Sequence, residues 1–163
     1  MHSRRQVLAV CMLACVGVCA AAPGTQDPSV QITDAWVRWL PGDLPAGGYL
    51  TLINSGDRPR SLIAASCPDY AEVSLHRSRN VAGTARMMPV HDITVAAHST
   101  LAFAAQGYHL MLVHPSKPLK PGDRVPVTLS FAGGSTLTVL FELRPPAAGA
   151  EMPDQAGMSD MAH

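Results

Sequence analysis

Leu129-Ser130-Phe131-Ala132-Gly133-Gly134-Ser135-Thr136-Leu137-Thr138-Val139-Leu140-Phe141-Glu142-Leu143 reads as two extended runs hinged on a pair of glycines. In the second run Leu137, Val139 and Phe141 alternate with Thr138, Leu140 and Glu142. A period of two sends alternate side chains to opposite faces of a strand, so one face is expected to be more deeply buried than the other. Gly133-Gly134 supplies the positive φ angles of a two-residue hairpin loop. Outward from this hairpin the same texture recurs. Short runs with period two or β-branched enrichment are expected to be strands at 30–40, 46–54, 61–66, 71–77, 85–90, 94–97, 100–104, 109–114, 124–131 and 135–143. Turn signals separate them, among them Asn54-Ser55-Gly56-Asp57 and Pro121-Gly122-Asp123. Closely spaced short strands without a convincing helical period or an internal repeat are the signature of an all-β sandwich or barrel.

The chain of 163 residues has room for one domain with a real core. Its first residues have the three-part layout of a secretory signal. Arg4 and Arg5 precede the apolar run 7–18, and small residues follow, with cleavage expected around Ala20 to Ala22. That run is too short to cross a bilayer of roughly 30 Å as a helix. Leu13-Ala14-Cys15 offers an alternative lipoprotein signal. Removing Arg4 and Arg5 leaves 10 basic against 12 acidic side chains, which gives no footprint for nucleic acid or anionic membrane. Cleavage also removes Cys11, Cys15 and Cys19. Cys67 then remains alone, so no internal disulfide forms and no soft-metal site can use a thiolate pair. After Arg144 the composition shifts to Pro145-Pro146-Ala147-Ala148-Gly149 and small or polar residues, too poor in apolar bulk to fold. The expected organisation is a signal peptide at 1–22, a β domain at 23–144 and a flexible tail at 145–163.

Seven histidines and eight methionines are more than such a core needs. If the turn after the strand at 71–77 centres between Val81 and Ala82, His76 directly opposes Met87. Opposed residues have Cβ atoms roughly 4.5–5.5 Å apart, within reach of one ion. His109 and Met111 stand at i and i+2 on a later strand and share a face. Two such pairs brought together make a site of two imidazoles and two thioethers. Thioether is soft and uncharged, so it suits Cu(I) and poorly suits Zn²⁺, Mg²⁺ or Ca²⁺.

The spacing His76, ten residues, Met87, twenty-one residues, His109, one residue, Met111 matches the H-x10-M-x21-H-x-M signature of the periplasmic PCuAC-type copper chaperones. The chain resembles that family from about Ala35 to Leu143, including Gly47-Gly48-Tyr49-Leu50-Thr51-Leu52, Gly107-Tyr108-His109-Leu110-Met111-Leu112 and Lys117-Pro118-Leu119-Lys120-Pro121-Gly122-Asp123. The resemblance implies a cupredoxin-like Greek-key β-barrel and an exposed Cu(I) site of His76, Met87, His109 and Met111 in the periplasm. It also implies delivery of that cargo toward the CuA centre of cytochrome oxidase subunit II, alongside a thiol-bearing assembly partner. No catalysis and no membrane insertion after signal cleavage are expected. Some members carry extensions that bind extra copper, which makes Met152, Met158, Met161 and His163 a candidate secondary site, for Cu(II) as well.

Other residues read more plainly. Met88 should face away from Met87, into the core. His91, His98 and His114 have no partner at matching spacing. Cys67 is expected to be a buried thiol rather than the ligand of a blue-copper centre, and Trp36 and Trp39 to cover the core or the barrel end. Within the copper class, sequestration or uptake is the competing purpose, with blue-copper electron transfer behind it. The chain has no C-x-x-C, no phosphate-binding glycine loop and no G-x-S-x-G elbow.

Overall fold

A computed structural model describes residues 27–146; the expected signal segment and residues 147–163 of the expected tail lie outside them. Every regular element in the described span is a strand. They are β1 (Val30–Arg38), β2 (Ala46–Asn54), β3 (Arg60–Ser66), β4 (Tyr70–Val81), β5 (Thr84–Pro89), β6 (Ile93–Val95), β7 (Ser99–Ala102), β8 (Tyr108–Pro115), β9 (Arg124–Phe131) and β10 (Thr136–Arg144). Each expected run overlaps one of them. The main difference is β4, which continues four residues past Arg77 because β5 supplies it with a full ladder from His76↔Pro89 to Val81↔Thr84.

The strands form one sheet in the order β5-β4-β8-β2-β1-β10-β9-β3-β6, with β7 also on β2. β2 is the branch point. Its first residues, Ala46 to Gly48, pair with β8, and its last, Thr51 to Asn54, pair with β7. β1 runs parallel to β10 and antiparallel to β2, with a bulge between Thr33 and Trp36 where Asp34 takes φ 51°. The sheet curls until β6 and β7 approach, and Asn54 fastens that seam. Its buried side-chain amide donates to the carbonyls of Arg58 (2.8 Å) and Ala96 (2.9 Å) and more weakly to Val95 (3.3 Å), while its oxygen accepts from Gly56 N–H (3.1 Å). Inside, Leu50, Leu52, Leu62, Leu110, Leu112, Val125, Val127, Leu129, Phe131 and Phe141 are all essentially solvent-free. This is the all-β, cupredoxin-like architecture expected.

Two loop registers differ from expectation. The β9–β10 hairpin pairs Ser130 with Thr136 and Val125 with Phe141, which makes a three-residue loop, Ala132 to Gly134, rather than two. The core pattern requires this. A one-residue slip would set Val127 and Leu129 against Thr138 and Thr136 instead of Val139 and Leu137. The β4–β5 turn centres on Ala82-Gly83, with φ 52° and 82°, the two positive angles of a type I′ turn. Placing it one residue earlier would force the β-branched Val81 into that region. The register therefore slips by two, and His76 opposes Pro89 while Met87 opposes Ser78. The expectation of a direct His76–Met87 pair is incorrect. An even slip keeps both residues on the same face. Met88 does not enter the core either: β5 runs past it, and Met88 is 45 % exposed.

Candidate metal centre

Strand register brings all four sequence-predicted donors to one face. β4 and β8 pair His76 with His109 and Ser74 with Met111. Side chains opposed across a ladder share a face, as do those two apart along a strand. His76, His109, Met111 and Met87 therefore stand on one side of β5-β4-β8, opposite the side on which Leu75, Leu110 and Leu112 enter the core. The histidines form the centre, with ring centroids 6.0 Å apart. The methionines flank them, Met111 level with Ser74 and Met87 level with Ser78.

Both histidines are buried, His76 at 9 % and His109 at 4 % exposure, and each keeps one ring nitrogen without a partner among the described residues. Gly107 C=O can only accept, so the 3.2 Å contact to His109 Nδ1 places the proton there and leaves Nε2 with a bare lone pair. That is the usual arrangement of a metal-ligating imidazole, oriented through its other nitrogen by a carbonyl. His76 Nε2 lies 3.1 Å from Ser74 Oγ, which can accept its N–H and leave Nδ1 free. Burying an imidazole nitrogen with no hydrogen bond costs free energy, and a metal ion between the two rings would satisfy both. The His76 pKa is held below the ordinary histidine value, first by burial and then by the neighbouring His109, with Glu72 opposing. The neutral form, the one that binds metal, is thereby favoured.

A cavity of about 90 Å³ opens over this face, lined by Met87, His109 and Met111 together with Arg38, Gly47 and Tyr49. Sequence reasoning missed these last three as parts of the site, although Gly47 and Tyr49 lie within a stretch that carries the family resemblance. Gly47 opposes Met111 across β2–β8, and a Cβ there would lie 2.7 Å from the Tyr49 hydroxyl. Its missing side chain lets the Tyr49 ring lie back along β2 beside the donors. Ser74, which contacts His76, carries no sequence signal of its own, whereas Gly107, which contacts His109, opens another of the stretches that carry the resemblance. Met87 is 55 % exposed on the outermost strand, so the site is open on that side. A larger opening of about 500 Å³, between Trp39, Tyr70 and Lys117, contains neither histidine nor methionine.

Among the described residues no three His, Cys, Asp or Glu side chains gather in a way that could hold a metal. A metal centre on this face would therefore draw on the thioethers, and a set of two imidazoles with two thioethers would suit a soft monovalent ion such as Cu(I). His91, His98 and His114 are exposed; His98 Nε2 contacts Asp57 at 2.8 Å. Cys67 is buried, with its thiol pKa pushed up by that burial. It precedes Tyr70 at the far end of β4, roughly 20 Å along the strand from His76, so it cannot join the donors. Trp39 packs against the core and donates to Leu119 C=O at 2.9 Å, whereas Trp36 stacks on Tyr49 at 4.6 Å on the outer face. Met152, Met158, Met161 and His163 lie outside the described residues.

Residues 30–143 match the family model described as "LpqE-like: Putative lipoprotein LpqE-like". The "Putative lipoprotein Lxx21020" of Leifsonia xyli subsp. xyli (strain CTCB07) is 31% identical over 126 residues, covering 77% of this chain and 75% of that protein. Among solved structures, the copper-bound PCuAC domain from PmoF2 superposes with a TM-score of 0.62 at 26% identity, over 76% of this chain and 99% of that domain. The solution structure of CuI-DR1885 from Deinococcus radiodurans gives 0.59 at 31% identity, over 77% and 83% respectively. The apo PCuAC domain from PmoF1, at 18% identity and a TM-score of 0.62, supports the fold alone.

Proposed function

The chain belongs to the LpqE-like family, and from that premise we propose that it is an extracytoplasmic copper chaperone carrying one Cu(I) on His76, Met87, His109 and Met111. The observation that carries the reading is the pair of facing, buried imidazoles, each with an unpartnered nitrogen, flanked on the same face by two thioethers. The copper-bound state of the PmoF2 domain and of DR1885 supports it. The mechanism is ligand exchange rather than catalysis. Met87, the most exposed donor, is the one an incoming group displaces first, and the buried histidines release last. A site without thiolate should hold the ion loosely enough for a thiolate-bearing or CuA-type acceptor to take it, with cytochrome oxidase subunit II as the destination. Anaerobic titration against a chromophoric Cu(I) chelator tests the carrier: a chain ending at Arg144 should bind one equivalent, and none would overturn the reading; a second equivalent bound only by the full chain would assign another ion, Cu(I) or Cu(II), to Met152, Met158, Met161 and His163.

Delivery and sequestration separate in a deletion strain. Loss of oxidase activity that added copper rescues supports delivery, and copper sensitivity alone supports buffering. The position of Cys67, remote from the donors and buried, argues against a blue-copper centre. The word lipoprotein in the family description favours a second reading of the N-terminus, lipidation at Cys15 in place of cleavage near Ala20 to Ala22 in the periplasm. The intact mass of the mature chain distinguishes a diacylglyceryl cysteine from a plain shortened N-terminus.

A further inference from the structure

Beside the donor cavity lies a second opening of about 460 Å³, walled by Trp36, Tyr49 and Phe103 and holding two guanidinium groups, Arg38 and Arg144. The two openings share Arg38, Tyr49 and Ala105. Among the described residues Arg38 makes no side-chain hydrogen bond: its Nε is enclosed without a partner, and its terminal nitrogens, which are not enclosed, have no acceptor. Arg38 and Arg144 are also register partners on the β1–β10 ladder, so two cationic side chains leave the same face of neighbouring strands about 4.8 Å apart at the backbone. Glu142, 3.3 Å from Arg144 Nη2 and half exposed, offsets only the second of them. Arg144 lies over the Trp36 ring at 5.5 Å, and Trp36 stacks on Tyr49, so the cationic end of the cleft adjoins an aromatic floor.

We propose that this cleft is a binding site for an organic carboxylate with an apolar body. The carboxylate pairs with the Arg38 guanidinium through its two terminal nitrogens, a two-pronged geometry that suits that group. The apolar body lies on Trp36 and Phe103, and the volume is that of a small-molecule site. An amine is repelled by both arginines, and a neutral analogue leaves the terminal N–H groups of Arg38 without a charged acceptor. The inference is independent of the copper reading, because it concerns the metal-free chain and residues that donate nothing to the ion.

The test is a titration of the full metal-free chain with phenylacetate, phenethylamine and 2-phenylethanol, followed by NMR of the arginine Nε–H and tryptophan indole signals. Phenylacetate should saturate with a dissociation constant on the order of 1 mM. It should shift Arg38 Nε–H and the Trp36 indole while leaving that of Trp39, which is bonded to Leu119, in place. Arg38→Gln should weaken binding by about tenfold, the worth of a charge-assisted hydrogen bond. Equal binding of all three probes, no saturation at concentrations tenfold above the expected constant, or undiminished binding by Arg38→Gln would overturn it. The three-probe comparison on the unaltered chain decides the matter even where the variant does not fold.

Discussion

His109 shows how much a single contact sets. The Gly107 carbonyl holds the proton on Nδ1 and so turns a bare Nε2 toward the centre. Removing a metal ligand's orienting partner typically weakens binding by 10–100-fold, so removing the donor itself should do no less. His109→Ala and Met111→Ala are each expected to lower Cu(I) affinity by at least about a hundredfold while the circular dichroism of the apo chain stays that of a β protein; native affinity in either would remove that residue from the site. His76 adds a pH dependence. Its folded pKa is depressed by burial and by His109. Below the unfolded value of about 6.5, the unfolded chain binds a proton that the folded chain resists, and folding stability must fall with decreasing pH until the folded pKa is also passed. Urea denaturation of the apo chain should show that decline setting in below about pH 6.5, and His76→Gln should flatten it. An equal slope in both would mean that the loss arises elsewhere.

The β4–β5 hairpin is the element on which the site depends, because it carries His76 on one strand and Met87 on the other. Ala82 holds φ 52° there, a left-handed angle that disfavours residues with a Cβ by roughly 1 kcal/mol. Asn tolerates it, and Ala82→Asn should stabilise the chain by roughly 0.5–1 kcal/mol without altering the ladder; a lower midpoint in thermal unfolding would mean that the turn is not type I′. The same ladder separates the two adjacent methionines. Met87→Ala should weaken Cu(I) binding substantially and Met88→Ala should leave it within about twofold, since the latter points to the opposite face. The ten strands were legible because alternation and turn residues are local signals. The hairpin register was not, because alanine gives no warning of a positive φ. The face survived that error because a slip of two residues preserves side-chain direction, whereas the one-residue correction at Gly133 had to come from the core pattern. Met88 was misassigned for a related reason: alternation predicts which way a side chain points, and cannot tell that β5 extends beyond the core it would have entered.

At the scale of the molecule, distant segments meet because one curled sheet places them together. His76 and His109 are separated by 33 positions in sequence and by one strand spacing in the ladder. The donor set was legible from the types and spacing of four residues, but Arg38, Gly47 and Tyr49 entered the site only through the β8-β2-β1 pairing, which no local pattern announces. Asn54 holds the other end of the curl, and Asn54→Ala, which leaves the Val95 and Ala96 carbonyls at the β6–β7 seam without their donor, should destabilise the chain by roughly 2–3 kcal/mol in urea denaturation. A loss under about 0.5 kcal/mol would show that the seam does not need it. The central claim is that one Cu(I) lies among His76, Met87, His109 and Met111. X-ray absorption of the chain loaded anaerobically with one equivalent tests it most directly. The account predicts two nitrogen and two sulfur scatterers around the ion, with one sulfur lost in Met87→Ala and one nitrogen in His109→Ala. A shell made only of sulfur, or one that both substitutions leave unchanged, would contradict it.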